Sequence, residues 1–138
     1  MGDILIVSTS WYEKYISDMN NEIMEILGDE GFGPAFEMYT VPGALELAAF
    51  AKQKINKYDD YIGVIFNGIV IRGLTTHYDL VTQETFRSIG MLADTYYKLA
   101  IINNVICVEN ESQLKDRLIK NSQNNARALI QLINEKSK

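Results

Sequence analysis

The sequence is poor in the residues that mark several common protein classes. Its 138 residues include one cysteine, two prolines, one histidine and one tryptophan. One cysteine excludes an internal disulfide framework, and one histidine with one cysteine cannot form a usual zinc site. Basic residues are also few, because 13 Lys and Arg stand against 18 Asp and Glu, a net charge of −5. No basic field therefore draws the chain to nucleic acid or to an anionic membrane.

Long apolar runs are absent as well. No stretch approaches the roughly 20 residues that span a bilayer. The apolar part of the start, residues 4–7, is too short for a signal peptide and follows no basic segment. We therefore expect a soluble, cytoplasmic protein without a membrane partner. The length fits a single domain over residues 1–138, and a hydrophobic fraction of 47% is enough to bury a core.

What is present is an alternation of strand and helix patterns. Apolar, β-branched runs predict strands at residues 4–7, 35–41, 61–66 and 99–108. Helical periodicity covers residues 14–27, 44–57, about 76–97, 111–119 and 124–135. Interruptions are expected at Asn67-Gly68 before an extended 69–71, at Asn103-Asn104, and at 120–123 between the last two helices. The alternation predicts a three-layer α/β/α sandwich around a four-stranded parallel sheet, with flavodoxin-like winding.

In such sheets ligands bind at the carboxyl ends of the strands. The first strand ends in Ser-Thr-Ser-Trp-Tyr, which carries neither dinucleotide-binding glycines nor a P-loop. Trp11 could stack there on a flat heterocycle or simply pack at the sheet rim. Pro42-Gly43 follows the second strand and lets a ligand approach the backbone, or forms a plain tight turn.

Polar chemistry concentrates after the third strand. Gly73 and the next amides precede a helix that Thr75 or Thr76 can cap, which is a geometry that binds anions. His77 follows in the first helical turn and could transfer protons, or could be an ordinary surface histidine. Arg72 could bind an anion, but we expect it to form an ion pair with Asp79 or another acid instead.

Two further residues have ordinary interpretations from the sequence alone. Cys107 lies in the fourth strand, where it is expected to be a small core residue rather than a nucleophile. Arg117 lies on a closing helix, where it is expected to be a solvated charge.

Three segments, taken together, resemble the lumazine synthase family. They are V-P-G-A-L-E-L at 41–47, G-I-V-I-R-G-L-T-T-H-Y-D at 68–79 and V-E-N-E-S-Q at 108–113. They appear in the order and spacing of that family, and the resemblance covers nearly the whole chain. The segment around His77 is the most specific of the three.

The resemblance implies an activity in riboflavin biosynthesis. Lumazine synthases condense 5-amino-6-(D-ribitylamino)uracil with 3,4-dihydroxy-2-butanone 4-phosphate and release phosphate and water. They are transferases that use no metal and no organic cofactor. Their active sites lie between neighbouring subunits of a pentamer, and some members assemble pentamers into a 60-subunit shell. The resemblance leaves open a pentamer, a decamer or a shell for this chain.

The resemblance also implies roles for single residues. His77 matches the proton-transfer histidine, and Trp11, or Tyr12 in another register, matches the ring-stacking aromatic. The remaining pyrimidine and ribityl positions fall on Ala44, Leu45, Glu46, Ile69, Val70, Ile71 and Asn103, the last from an adjacent subunit. Phosphate-binding positions fall on Gly73, Leu74, Thr75 and Arg117, the last reaching across the interface.

Departures from the family pattern leave alternatives open. Ser10 and Tyr12 flank Trp11 where the family has Arg and Asn, and residues 121–124 replace its Asn-Lys-Gly signature. Lys120 is then a candidate for the second cation near the phosphate. A non-catalytic flavin- or lumazine-binding protein, or a mainly shell-forming protein of the same fold, is the alternative function.

Overall fold

A four-stranded sheet forms the centre of the structure, a computed structural model that describes residues 3–32 and 35–138. The first two residues of the chain lie outside this description. The strands are β1 (Asp3–Thr9), β2 (Phe36–Val41), β3 (Tyr61–Ile71) and β4 (Ala100–Val108). Their order is β2-β1-β3-β4, and every neighbouring pair is parallel. The predicted four-stranded parallel sheet is therefore confirmed.

Helices cover both faces of this sheet. The described residues form α1 (Glu13–Asp29), α2 (Leu47–Lys57), α3 (His77–Thr95) and α4 (Glu111–Lys136). A 3-10 turn, Ala44–Glu46, precedes α2. Helices α1 and α4 pack on one face, and α2 and α3 pack on the other. This is the predicted three-layer α/β/α architecture. Within the described ranges, no helix is both long and apolar enough to cross a membrane.

The α2/α3 face buries one apolar cluster. Side chains from the odd-numbered positions of β1 meet Leu47, Ala51, Ile89 and Leu92 of the two helices. The α1/α4 face instead buries two separate clusters. One, around Ile23, Ile65 and Leu129, lies toward the amino ends of the strands, and the other, around Met19, Ile69 and Leu114, lies toward their carboxyl ends.

A polar layer separates the two clusters of the α1/α4 face. We call it the amide layer, and its members are Ser8, Asn20, Asn67, Asn104, Ser122 and Asn125. Ser8, Asn67 and Asn104 are register partners in one row across β1, β3 and β4. Asn67 Nδ2 donates to Asn20 Oδ1 at 2.7 Å, and Asn104 Nδ2 donates to Asn67 Oδ1 at 2.8 Å. Each buried amide thus has a protein partner, as burial requires.

Residues of the amide layer lie at or beside the three predicted interruptions, and all three of these predictions are wrong. Asn67-Gly68 does not break the third strand, and Asn103-Asn104 does not interrupt the fourth, because β3 and β4 are continuous. The predicted gap at 120–123 is wrong as well, since α4 is one helix. Ser122 lies inside that helix and accepts a hydrogen bond from Asn104 Nδ2 at 3.1 Å. Buried pairing therefore decides these positions against their local turn preference.

The start of α4 is fixed by its own side chains. Asn110 is the N-cap and accepts a hydrogen bond from the backbone N–H of Gln113 at 2.9 Å. The Gln113 side chain in turn accepts from the backbone N–H of Glu109 at 2.8 Å. This reciprocal pairing resembles a capping box, which explains why the closing segment carries Asn and Gln three residues apart.

Candidate functional site

A cleft of about 190 Å³ opens at the carboxyl end of the sheet. It lies between the end of β1, the turn after β2, the end of β3 and the start of α3. Its lining residues are Thr9, Trp11, Gly43, Ala44, Leu45, Glu46, Ile69, Val70, His77 and Val81. Residues that are far apart in the sequence therefore meet at the edge where the topology predicts a ligand site.

A larger cavity, of about 320 Å³, lies at the opposite end of the sheet. Its walls are mainly tyrosine and aliphatic side chains, including Tyr58, Tyr61 and Tyr96. The larger cavity also includes Asp59 and Lys98, but only the smaller cleft contains the histidine and the tryptophan of the chain, together with Glu46. We therefore regard the smaller cleft as the candidate site, because it combines groups that can move protons and bind a ring. Within the described residues, no three His, Cys, Asp or Glu side chains form a metal-binding group.

The turn after β1 presents Trp11 to the cleft. Trp11 lines the cleft and is 68% exposed, so it is not packed into the sheet rim. Tyr12 lies outside the lining and adopts left-handed backbone angles (φ 60°, ψ 52°), which residues with a Cβ seldom adopt. Ser10 anchors the turn, since its Oγ donates to the Pro42 carbonyl at 3.0 Å. The backbone N–H of Ser10 also donates to the Val41 carbonyl at 2.9 Å, and the two hydrogen bonds hold the end of β1 beside the turn after β2.

Gly43 makes room for the carboxylate of Glu46. A Cβ at position 43 would lie 3.2 Å from Glu46 Oε1, which is tighter than an ordinary contact. A residue with a Cβ at this position would therefore require the Glu46 carboxylate to shift by a few tenths of an ångström. Glycine in the Pro-Gly turn thus serves the shape of the cleft as well as the turn itself.

The first turn of α3 presents His77. The N-cap residue of this helix is Thr76, whose side chain makes no capping bond. The backbone N–H of His77 instead donates to Thr75 Oγ1 at 3.2 Å. Of the two expected capping side chains, Thr75 is therefore the one that binds the helix start, and it fixes the backbone that carries His77.

Arg72 is held by acidic side chains beside the cleft. Its Nε donates to Glu109, and its Nη1 lies 3.3 Å from Asp79 Oδ1. The hydrogen bond to Glu109 is the main reason that the pKa of Arg72 is raised. The guanidinium also lies over the Tyr78 ring, 4.2 Å from its centroid. The expected ion pair with Asp79 is thus confirmed, and Arg72 links the ends of β3 and β4 to α3.

Other residues singled out from the sequence lie outside the cleft of this chain. Gly73, Leu74 and Thr75 form the exposed loop between β3 and α3. Ile71 packs on the α1/α4 face, and Arg117 is exposed on α4. Asn103 lies on β4, where its Oδ1 accepts from the backbone N–H of Val105 at 2.8 Å.

Cys107 packs against the apolar cluster of the α2/α3 face, as expected for a core residue. Burial raises the pKa of its thiol to about 11. The thiol is therefore protonated near neutral pH, which is the opposite of what a nucleophile needs.

No role was predicted for Thr9, Gly68 or Val81, although Thr9 and Gly68 lie in the strand-end segments where a ligand site was expected. Thr9 and Val81 line the cleft, and Gly68 lies in β3 beside Thr9. A Cβ at position 68 would lie 3.3 Å from Thr9 Cγ2 and 3.4 Å from Val105 Cγ2. The available signal was the place of Thr9 and Gly68 just after the first and third predicted strands.

Comparison with known proteins gives a consistent result over the chain. The sequence model of the 6,7-dimethyl-8-ribityllumazine synthase family matches residues 2–137. A 6,7-dimethyl-8-ribityllumazine synthase of Bartonella tribocorum is 36% identical over 126 aligned positions, which cover 88% of this chain and 78% of the relative.

Two further relatives with the same name align over almost their full length. The protein of Agrobacterium fabrum is 32% identical, with 98% of this chain and 95% of the relative covered. The protein of Zymomonas mobilis is 34% identical, with 100% and 99% covered. The similarity therefore includes the strands, the cleft and the closing helix alike.

Proposed function

The chain belongs to the 6,7-dimethyl-8-ribityllumazine synthase family, and from this premise we propose that it catalyses lumazine formation in riboflavin biosynthesis. The substrates are 5-amino-6-(D-ribitylamino)uracil and 3,4-dihydroxy-2-butanone 4-phosphate, and the products include phosphate and water. The observation that carries the proposal is the meeting of Trp11, Glu46 and His77 around one cleft. Trp11 supplies a surface for ring stacking, Glu46 accepts hydrogen bonds from substrate hydroxyls, and His77 transfers protons.

The pyrimidine end of the first substrate fits the middle of the cleft. The Trp11 indole offers a flat apolar face for stacking on the ring. Ile69, Val70 and the following Ile71 supply backbone groups to its polar edge, and Asn103 of a neighbouring subunit completes the ring site. Ala44 and Leu45 line the wall where the ribityl chain extends, and the Glu46 carboxylate accepts hydrogen bonds from its hydroxyls.

The phosphate of the second substrate fits the loop between β3 and α3. Gly73, Leu74 and Thr75 precede the amino end of a 19-residue helix, where backbone N–H groups and the helix dipole favour an anion. Arg72 is engaged by Asp79 and Glu109, so we assign the main cation to Arg117 of a neighbouring subunit. A local site of this kind is needed because the net charge of −5 gives no general attraction to phosphate.

His77 serves the proton transfers of the reaction. The 5-amino group attacks the ketone and a first water leaves as the imine forms. Phosphate then leaves by elimination, and the second ring closes with loss of a second water. Each step moves a proton to or from nitrogen, oxygen or carbon, so one group that acts as acid and base in turn can serve all of them. No covalent enzyme intermediate is required, and holding one substrate in the cleft beside the other, whose phosphate lies at the 73–75 loop, adds a proximity contribution.

The proposal includes a homo-oligomer, a pentamer or a multiple of pentamers, because the assigned roles of Asn103 and Arg117 need a second copy. Supporting it, Leu80, Phe86 and Met91 are exposed along α3. Contact with a second copy would remove these large apolar side chains from water, which is favourable. Mass measurement by light scattering tests this part, and a monomer at working concentration would contradict it. The proposal also includes a cytoplasmic location.

The decisive experiment combines both substrates with the purified chain and follows lumazine absorbance. We expect turnover well above the uncatalysed rate, and a decrease in kcat of about 10²–10⁴-fold in His77→Ala. Thr76→Ala is the matched control, since Thr76 is the neighbouring residue and its side chain makes no capping bond. Product formation at the uncatalysed rate, identical in wild type and His77→Ala, would contradict the proposal.

One observation favours a second candidate, a non-catalytic flavin- or lumazine-binding protein. Among the described residues that line the cleft, none is a lysine or an arginine. A chain whose neighbour supplies no cation could bind the ring without processing the phosphate. This candidate predicts quenching of Trp11 fluorescence by riboflavin together with no turnover, which the same assay distinguishes.

A further inference from the structure

The floor of the cleft contains a buried hydroxyl without a protein partner. Thr9 lines the cleft and is only 2% exposed. Within residues 3–32 and 35–138, its Oγ1 has no hydrogen-bond partner. Buried hydroxyls are nearly always paired, because leaving one unpaired is unfavourable. An unpaired hydroxyl at the floor of a ligand cleft therefore points to a partner that arrives with the ligand.

The alternation of the strand separates Thr9 from the amide layer. Ser8, one residue earlier, lies on the α1/α4 face and donates to Asn20 Oδ1 at 3.3 Å. Successive side chains of a strand point to opposite faces, so Thr9 belongs to the α2/α3 face. The Thr9 methyl, Cγ2, lies beside Gly68, where a Cβ would be 3.3 Å away. The absence of a side chain at Gly68 thus leaves room for the Thr9 side chain at the floor of the cleft.

We propose that Thr9 is a substrate-binding residue whose hydroxyl pairs with the polar edge of the pyrimidine substrate. The inference rests on the proposed function and adds to it a residue of this chain. A pyrimidine edge alternates carbonyl and N–H groups, and a hydroxyl can donate to the one and accept from the other. Thr9 lies between the turn at Ala44–Glu46 and the end of β3, where the ring and the start of the ribityl chain meet.

The second substrate does not fit the position of Thr9. The 73–75 loop assigned to its phosphate is not part of the cleft lining, and the carboxylate of Glu46 disfavours an anion in the cleft. Thr9 therefore distinguishes the two substrates. Its loss affects binding of the ribitylaminouracil and leaves binding of the butanone phosphate unchanged.

The chain offers a matched set of variants. Thr9→Val replaces the hydroxyl by a methyl group of similar size, and Thr9→Ser keeps the hydroxyl. Thr85→Val is the control, because the Thr85 hydroxyl in α3 is likewise buried without a partner within the described ranges but does not line the cleft. Each variant is examined for KM of both substrates and kcat. Direct binding of 5-amino-6-(D-ribitylamino)uracil is measured by Trp11 fluorescence.

For Thr9→Val we expect the KM and Kd of the ribitylaminouracil to rise about tenfold, the usual effect of one lost hydrogen bond. The KM of the butanone phosphate should stay unchanged, and Thr9→Ser should restore most of the affinity. Thr85→Val should bind as the wild type does. The thermal midpoint of ligand-free Thr9→Val should equal or exceed that of the wild type, because the removed hydroxyl has no partner there.

The outcomes separate this inference from the proposed function. Wild-type turnover with an unchanged Thr9→Val overturns the inference alone. Binding that depends on Thr9 without any turnover overturns the proposed function alone. Turnover with the expected loss in Thr9→Val supports both. Absence of both binding and turnover overturns both, and equal losses of affinity for the two substrates also overturn the inference.

Discussion

The two faces of the sheet treat buried polar groups in opposite ways. On the α1/α4 face, six polar side chains form the amide layer and are paired with one another. On the α2/α3 face, the hydroxyls of Thr9 and Thr85 are buried without a partner within the described residues. On the α1/α4 face the amide layer lies between two apolar clusters, whereas the α2/α3 face opens into the cleft at the carboxyl end of the sheet.

This difference follows from the work that each face does. A closed network specifies which residues of α1 and α4 meet the strands, because every member needs its own partner. It holds the register of β1, β3 and β4, and so the positions of the strand ends that carry the cleft. On the other face, the Thr9 hydroxyl lies in the cleft, where a ligand can supply the missing partner, whereas Thr85 lies away from the cleft.

The largest loss of stability that tests this difference between the two faces is expected for a substitution at Asn104. Asn104→Ala removes the donor to Asn67 and Ser122 and the acceptor of Asn125 at once. Several buried groups then lose a partner, so we expect the free energy of unfolding to fall by about 2–4 kcal/mol in urea titration. Asn124→Ala is the control, because Asn124 is exposed on α4 beside Asn125, and this substitution should change the stability little. Equal stability of the two variants would mean that the amide layer does not hold this face together.

The amide layer also marks the limit of sequence-based prediction for the fold. The order of strands and helices follows from local patterns, because β-branched runs and helical periodicity are properties of short segments. Asn67, Asn104 and Ser122 were misjudged as interruptions for one shared reason. Asparagine and serine prefer turns locally, and only the packed structure supplies the partners that keep them inside a strand or a helix.

The candidate site shows a similar limit. The carboxyl edge of the sheet could be located from topology, and the cleft does contain Trp11, Glu46 and His77. Thr9 could not be recognised, since a threonine at a strand end gives no sign of whether its hydroxyl is paired. Roles for Asn103 and Arg117 came only from the family resemblance and stay predictions, because they depend on a second copy of the chain.

A second prediction uses the reactivity of Cys107 to test whether solvent enters the α2/α3 face only at the cleft. The thiol of Cys107 is the only one in the chain, and burial raises its pKa from 9.0 to about 11. Alkylation of the native chain by iodoacetamide at pH 8 should therefore be about 100-fold slower than alkylation of the urea-unfolded chain. Cys107→Ala, which should take up no label, is the control.

The sign of the pH dependence follows from the same shift. The folded state raises this pKa, so the contribution of Cys107 to stability is present below pH 9.0 and is lost as the pH rises through about 11. Cys107 lies at the carboxyl end of β4, as the register partner of Val70 in the cleft wall. Rapid labelling of the native chain at pH 8 would therefore show that the opening extends from the cleft to β4.

The smallest expected effects test the difference between the faces most directly. Removal of a buried hydroxyl should lower the free energy of unfolding on the α1/α4 face and raise it on the α2/α3 face. Ser8→Ala removes a hydroxyl that donates to Asn20, so we expect the free energy of unfolding to fall by about 0.5–1 kcal/mol. Thr85→Val removes a hydroxyl without a partner among the described residues and fills its place with a methyl group, so we expect a rise of similar size, about 0.5–1 kcal/mol. Urea titration of both variants beside the wild type measures the two signs. A loss of stability in Thr85→Val as large as that in Ser8→Ala would mean that ordered water pairs the Thr85 hydroxyl in solution, and the two faces would then satisfy their buried hydroxyls equally.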